Sequence, residues 1–299
     1  MRQPTDFNPL ISFLTVNYNQ PKVTLDLVYS LQKLEYQNWE LIVVDNGGEK
    51  SLLENDLKPF EKVRYLRSEE NLGFAGGNNL GLPLCQGEFI FFINNDTEVE
   101  PDLMEPLLYV LKNDPQLGML CPKIIFHQQK NLLQYAGFTP MSKVTIRNSG
   151  IGFKEIDNGQ YDGIYKTAFA HGAAMIVPKK VIDKVGTMYD DYFLYYEEYD
   201  WAQRIKDAGY RIVYCGKSTV YHKESVSTGQ NSPLKIYYLT RNRLLFARRN
   251  YPFHIHILTW LYFTFIALPK NVLQFLLKGE GHLAKAFLRG YFWNLTHRA

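Results

Sequence analysis

Four groups of residues could do chemistry in this 299-residue chain. The first is the polar edge Asn94-Asn95-Asp96, which follows the apolar run at 89–93 (FIFFI). Such a run reads as a strand buried on both faces. A carboxylate and an amide oxygen at its end can hold a hard divalent cation that also takes diphosphate oxygens. The same residues could equally form a helix cap or an Asx-turn. The second group is Glu197-Glu198-Tyr199-Asp200. On a helix, 197 and 200 share a face and 198 points about a quarter-turn away. One carboxylate can then be structural while another acts as general base, although acids at a helix start also simply match its dipole. The third is the Gly-rich stretch 71–79 (NLGFAGGNN). Glycines ahead of a helix let backbone approach phosphates, but the stretch is neither a dinucleotide fingerprint nor a Walker A loop, and a plain turn is as good a reading. The fourth is His222, at the end of an expected strand; a lone histidine takes a metal role only with a carboxylate edge beside it.

The elements that must position these groups alternate between strand and helix. Residues 10–16 (LISFLTV) read as a strand stopping at Asn17-Tyr18-Asn19, and Pro21 suits the first position of a helix carrying Leu25, Leu27, Val28, Leu31 and Leu34. Residues 39–44 form a second strand ending in Asp45-Asn46, and residues 63–67 a third. A helix is expected after the Gly-rich stretch, to about residue 86, and another from Pro101. Residues 119–126 and 173–177 read as further strands, and 210–214 and 218–222 as two edge strands. Short links between alternating elements indicate an α/β fold with a mainly parallel sheet. The right-handed crossover rule brings Asn17, Tyr18, Asp45 and Asp96 to one rim. Residues 127–169 lack helical periodicity and read as loops and hairpins over that rim.

Composition bounds the rest. Hydrophobic residues make 46% and charged residues 21%, as in a globular protein. The cysteines, Cys85, Cys121 and Cys215, are far apart and odd in number, so a reducing compartment is expected. Residues 1–9 contain no apolar stretch of the kind a signal peptide needs. The net charge of +3 hides an asymmetry: from Lys235 onward there are ten Lys/Arg against Glu280 alone, which leaves the first 234 residues acidic. The acidic body argues against a nucleic-acid partner. The tail alternates Trp260, Tyr262, Phe263, Phe265, Phe275, Phe292 and Trp293 with Lys270, Lys278, Lys285 and Arg289. It suits an interfacial helix pair on an anionic leaflet, or a helical cap or dimer interface. Its apolar run at 255–268 is short for a bilayer span and is interrupted by Pro269-Lys270.

The joint order of Val16-Asn17-Tyr18-Asn19, Val43-Val44-Asp45-Asn46, the stretch 71–78, Asn94-Asn95-Asp96, Gly172-Ala173-Ala174-Met175, Glu197-Glu198-Tyr199-Asp200 and His222 resembles the family-two inverting glycosyltransferases, closest to their bacterial rhamnosyltransferase-like branch. The resemblance covers about residues 10–250. It implies a GT-A-like nucleotide-binding α/β sandwich over residues 1–232, with a nucleotide half at about 10–126 and an acceptor half at 127–232, followed by a basic aromatic helical extension at 233–299. It also implies a nucleotide-sugar donor such as dTDP-rhamnose or a UDP-hexose, a saccharide or lipid-linked acceptor in cell-surface polysaccharide synthesis, Mg²⁺ or Mn²⁺, and a cytoplasmic site of action at the inner face of the membrane.

Carried over by position, Asn17 and Tyr18 would lie against the base and Asp45 would accept from its imide N–H, favouring uracil or thymine. Gly73 and Asn78 would border nucleotide and sugar, with Asn94 and Asn95 on the donor. Asp96 would be the last acid of the metal motif, joined by His222. Glu198 would be the base, with Glu197 and Asp200 in support. Two positions depart from the pattern: Asn94 stands where an Asp is usual, and Glu198 where the base is more often Asp. Two other readings stay open, a nucleotidyltransferase and a catalytically silent saccharide- or membrane-binding relative. The first lacks a basic Gly-rich N-terminal loop, and the acidic set at 197–200 argues against the second.

Overall fold

The computed structural model describes residues 7–48, 54–223 and 232–297. The strands are β1 (Ile11–Asn17), β2 (Trp39–Asn46), β3 (Val63–Ser68), β4 (Phe89–Ile93), β5 (Thr97–Val99), β6 (Leu117–Phe126), β7 (Leu133–Tyr135), β8 (Ile164–Lys166), β9 (Ala174–Pro178) and β10 (Arg211–His222). The helices are α1 (Pro21–Leu31), α2 (Glu54–Leu57), α3 (Gly73–Gly81), α4 (Met104–Asn113), α5 (Lys179–Val185), α6 (Glu197–Asp207), α7 (Pro233–Asn250), α8 (Phe253–Tyr262), α9 (Leu268–Leu277) and α10 (Gly281–Thr296).

One sheet runs β3-β2-β1-β4-β9-β6-β10-β5, with β7 on β6 and β8 on β10. Its first four strands are parallel, and β9, β5, β7 and β8 join antiparallel, so the whole is mixed. Every residue of β2 is buried, as is most of β1 and β4, because helices cover both faces. Helix α1 starts at Pro21 and buries Thr24, Leu27, Val28 and Leu31, an i, i+3, i+4, i+7 spacing that keeps one stripe on the sheet.

Four local expectations change. The Gly-rich stretch is not a loop ahead of a helix but α3 itself. A Cβ on Gly77 would come within 2.8 Å of Val16 Cγ1, and one on Gly81 within 2.5 Å of Leu14 and 2.6 Å of Val44. The glycines therefore let this helix lie against β1 and β2. Pro101 sits in a turn, and the helix starts at Met104. The two expected edge strands are one strand, β10, inside the sheet between β6 and β5. Its register jumps between Cys215 and Thr219, where a Cβ on Gly216 would meet Tyr161 O at 1.8 Å. Pro269 does not break the tail: Phe253–Leu277 is continuously helical. A π-helical turn at Phe263–Ala267 stands just ahead of the proline, where the i→i−4 ladder must adjust to a missing N–H and the ring's clash.

The boundary expected at 232/233 falls at the start of α7, yet Leu245, Phe246 and Ala247 of that helix sit in the main core. The two candidate interfacial helices also separate. Helix α10 buries Leu283, Ala284, Phe287 and Tyr291 as a cap on α7. The α8–α9 helix exposes Phe253, Leu261, Phe265, Leu273, Leu276 and Leu277. The three cysteines are free and buried.

Candidate active site

A cavity of about 370 Å³ opens at the carboxyl ends of β1, β2 and β4, where ligands sit on open α/β sheets. Its walls include Tyr18, Asn46, Gly73, Asn94, Asn95 and Asp96 from the nucleotide half. Gln134, His171, Glu197, Glu198 and His222 join from the second half, and Leu234 and Lys235 from the start of α7.

Strand ends at this rim are tied by a buried polar chain. Asn95 Nδ2 donates to Thr24 Oγ1 at 3.0 Å, Thr24 Oγ1 to Asn17 Oδ1 at 2.9 Å, and Asn17 Nδ2 to Asp45 Oδ1 at 2.8 Å. Asp45 Oδ2 accepts from Tyr65 OH at 2.9 Å and Arg67 at 2.6 Å. Asp45 is fully buried, and a carboxylate taken out of water must be paired. It therefore stands behind the wall, held by its neighbours, rather than open to a base as expected. Asn17 is fully buried with it, and Tyr18, 38% exposed, is the member that reaches the wall. Asn78 also lies off the wall: it is buried within α3 and donates to Phe74 O at 2.9 Å. Gly73 is on the wall at φ +72°, where a Cβ would strike Phe193 O at 2.2 Å. Asn46 holds this helix start, accepting from Leu72 N at 3.0 Å and donating to Gly73 O at 2.9 Å.

Asp96 and His222 come together although 126 positions separate them. Asp96 Oδ1 lies 3.1 Å from His222 Nε2. His222 Nδ1 sits 2.8 Å from Gln134 Oε1. An amide oxygen only accepts, so Nδ1 carries the proton. Nε2 faces the buried Asp96 carboxylate, an ion pair whenever the ring is protonated. A carboxylate oxygen and an imidazole nitrogen this close are two donors of the kinds a divalent cation takes, although among the described residues no cluster of three or more His, Cys, Asp or Glu side chains stands there.

The glutamates sit at the amino end of α6. Glu197 is 4% exposed, and burial first, then the neighbouring Glu198, pushes its carboxyl well above the usual range. Burial pushes Glu198 up to about 7, opposed by backbone N–H groups at 196, 198 and 199. Oε2 of each is buried without a hydrogen-bond partner among the described residues. Gly172 lies beside Glu198: a Cβ there would be 3.8 Å from its carboxyl carbon. The approach to α6 is unusual, because Phe193, Tyr195 and Tyr196 have φ of 60°, 70° and 77°. Such bulky residues in the left-handed region cost roughly 1–3 kcal/mol each and persist only when surrounding contacts hold them.

Asp200 does not join the wall. It is fully buried and accepts from Arg204 Nε at 2.8 Å, Arg249 Nε at 3.0 Å, Asn250 Nδ2 at 2.9 Å and Tyr192 OH at 3.1 Å. The helical turn that carries Glu198 into the cavity carries Asp200 toward α7, so it ties α6 to α7. Asp200→Ala should lower unfolding free energy by about 2–4 kcal/mol, since it strands two arginines. Denaturant titration reads this, and a loss of turnover as large as that of Glu198→Gln would return Asp200 to the reaction.

Sequence reasoning passed over His171, Gln134 and Asn46. Burial, then His222, pushes His171 down to about 3, with Asp96 opposing. It is therefore neutral, accepts from Ala173 N at 3.1 Å and stacks on Phe138. Its position directly before the quoted Gly172-Ala173 was the available signal. Gln134 lies in the irregular segment and carried none.

Residues 12–186, more than half the chain, match the family "Glycosyl transferase family 2". The chain is 24% identical over 241 residues to the low-salt glycan biosynthesis hexosyltransferase Agl10 of Haloferax volcanii, covering 79% of this chain and 74% of that protein. It is 25% identical over 256 residues to the dTDP-rhamnosyl transferase RfbF of Shigella flexneri, covering 82% of each. Among solved structures it is similar to GalNAc-T7 with UDP, GalNAc and Mn²⁺, at TM-score 0.64 and 15% identity. That match covers 79% of this chain and 48% of the other, so the chain spans about half of that protein. The likeness extends to the fold, a mixed α/β sheet of GT-A type. On the family match and the sheet that carries it, the chain belongs to glycosyl transferase family 2.

Proposed function

We propose that the protein is an inverting, metal-assisted glycosyltransferase that moves a hexosyl group from a pyrimidine nucleoside diphosphate to a saccharide or lipid-linked saccharide. One observation carries this: Asp96 Oδ1 and His222 Nε2 lie 3.1 Å apart on the same cavity wall that takes Glu198, whose Oε2 has no hydrogen-bond partner among the described residues. Asp96 and His222 would hold Mg²⁺ or Mn²⁺, with Asn94 on the same wall. The metal, when bound, offsets negative charge on a diphosphate leaving group. Glu198 takes the proton of an acceptor hydroxyl while that oxygen forms a bond to the anomeric carbon. The bond from that carbon to the diphosphate oxygen breaks, and its electron pair leaves with the nucleoside diphosphate. The anomeric centre inverts in the single displacement. Tyr18 lies against the base, and Asp45 supports that wall through Asn17 and Arg67. The name of RfbF makes dTDP-rhamnose the first donor to test. In a thermal-shift panel of dTDP-, UDP- and GDP-sugars with and without Mn²⁺, dTDP or UDP sugars should stabilise most, and only with metal. Stabilisation by GDP-sugars alone would remove the pyrimidine reading.

The exposed apolar side of Phe253–Leu277 suits the acyl boundary of a membrane whose anionic headgroups meet Lys270, Lys278, Lys285 and Arg289. The helix is long and apolar enough to cross a bilayer, but its packed side favours lying in the interface. Thr259 donates to Lys143 O at 3.0 Å, and Phe263 sits under the Arg243 guanidinium at 4.7 Å. A crossing helix would carry those polar neighbours into hydrocarbon. The acceptor would then be lipid-linked. Phe265→Glu with Leu276→Glu should cut flotation with phosphatidylglycerol vesicles about tenfold or more while the fold is kept. Unchanged flotation, or none by the parent chain, would end the membrane reading.

A further inference from the structure

We infer that Asn242, on α7 and remote in sequence from the acidic motif, is a positioning residue for the catalytic base: it fastens the loop that sets where Glu198 stands. The inference rests on the reading of Glu198 as base.

Asn242 is fully buried, and its Nδ2 lies 2.9 Å from Tyr192 O, 2.8 Å from Leu194 O and 2.7 Å from Tyr195 O. One amide with two hydrogens thus serves three carbonyls of a five-residue segment. Three members of that segment, Phe193, Tyr195 and Tyr196, have positive φ. The next two residues are Glu197 and Glu198.

Asn242 is itself held. Its Oδ1 accepts from Arg241 Nε at 2.7 Å, and Arg241 donates to Tyr192 O at 2.8 Å and to Asp191 O. The Arg241 guanidinium lies over Tyr238 at 4.7 Å and Trp293 at 4.6 Å, so α10 backs the clamp. From the other side, Phe74 N donates to Phe193 O at 2.6 Å. A segment with three residues in disfavoured backbone conformations relaxes when its holders go, and the acid it delivers shifts with it. A misplacement of about 1 Å at a reacting group is enough to cost on the order of 10²-fold in rate.

The test is a double-mutant cycle on the full chain with Glu198→Gln and Asn242→Ala, read by kcat, donor KM and nucleoside diphosphate affinity. Asn242→Ala should lower kcat about 30- to 100-fold, leave nucleotide affinity within about threefold, and cost nothing further in the Glu198→Gln background. Leu57→Ala, a buried change outside the cavity wall, controls for lost stability, and Asn242→Ser replaces the alanine variant should that fail to fold. Parental kcat in the folded Asn242 variant overturns the inference, as does a full additional loss in the double variant. So does an equal kcat loss in Leu57→Ala at matched stability. Parental turnover in Glu198→Gln alone overturns the base reading itself, and this inference with it.

Discussion

Glu198→Gln should lower kcat by about 10²- to 10⁴-fold, the range a general base contributes, and leave nucleotide binding near the parental value. The amide keeps the shape and loses only the ability to take a proton. In the parent, the base must be ionised to work. Because burial pushes this carboxyl up to about 7, the parental rate should rise with pH through about 7, on a limb that the variant lacks. Stability moves the opposite way. A carboxyl whose folded pKa lies above its unfolded value stabilises the fold fully below about 4.5, and that contribution is lost as pH rises through about 7. Above pH 7 the parent holds a carboxylate in a poorly solvated place, so the variant should be the more stable, by roughly 2–3 kcal/mol at pH 8. Near pH 4.5 the two should melt together. A variant slower in transfer yet firmer at high pH is a pairing that simple damage to the fold does not produce. Undiminished turnover, or the same high-pH stability as the parent, would remove Glu198 as base.

Asp96→Ala should abolish measurable Mn²⁺ binding to the protein and lower kcat/KM by about 10²- to 10³-fold, since it deletes the anionic member of the pair facing His222. The two readouts are separate. Metal binding can be followed through the electron paramagnetic resonance of free Mn²⁺, without donor or acceptor. The substitution also takes the ion-pair partner from His222, so the melting temperature of the metal-free protein is measured beside the metal titration to separate lost metal binding from lost fold. A Mn²⁺ titration identical to the parent's would move the metal elsewhere. Turnover unaffected by chelator in the parent would end metal dependence altogether.

The nucleotide half was the more legible part. Strands at 10–16, 39–44 and 89–93 are short apolar runs ending in Asn or Asp, and such runs have few alternatives to a covered parallel sheet. The glycines were misjudged for a physical reason. A glycine reads the same whether it frees a loop or thins a helix, and only the close approach of Leu14, Val16 and Val44 shows that α3 needed thinning. Pro269 misled in the same way, because a π-helical turn allows a proline that the spacing alone treats as a break.

By itself, then, the sequence determined the order of the strand ends and of the acidic helix start, and the residue types standing there: Tyr18, Asp45, Asp96, Glu198 and His222. Local pattern suffices for this, since apolar periodicity and an abrupt polar stop both act over a few residues. Tertiary structure alone decided which of them open to the cavity. Asp45 and Asp200 are as acidic as Asp96 and Glu198, yet arginines from β3, α6 and α7 close around the first two. Among the described residues, Asp96 and Glu198 each keep an oxygen with no hydrogen-bond donor. Whether a carboxylate is neutralised by the protein or left for a ligand depends on partners from other elements as well as from its own, here Arg67 and Arg249 beside Arg204. Burial makes that difference large, because an unpaired charge costs far more inside a protein than in water.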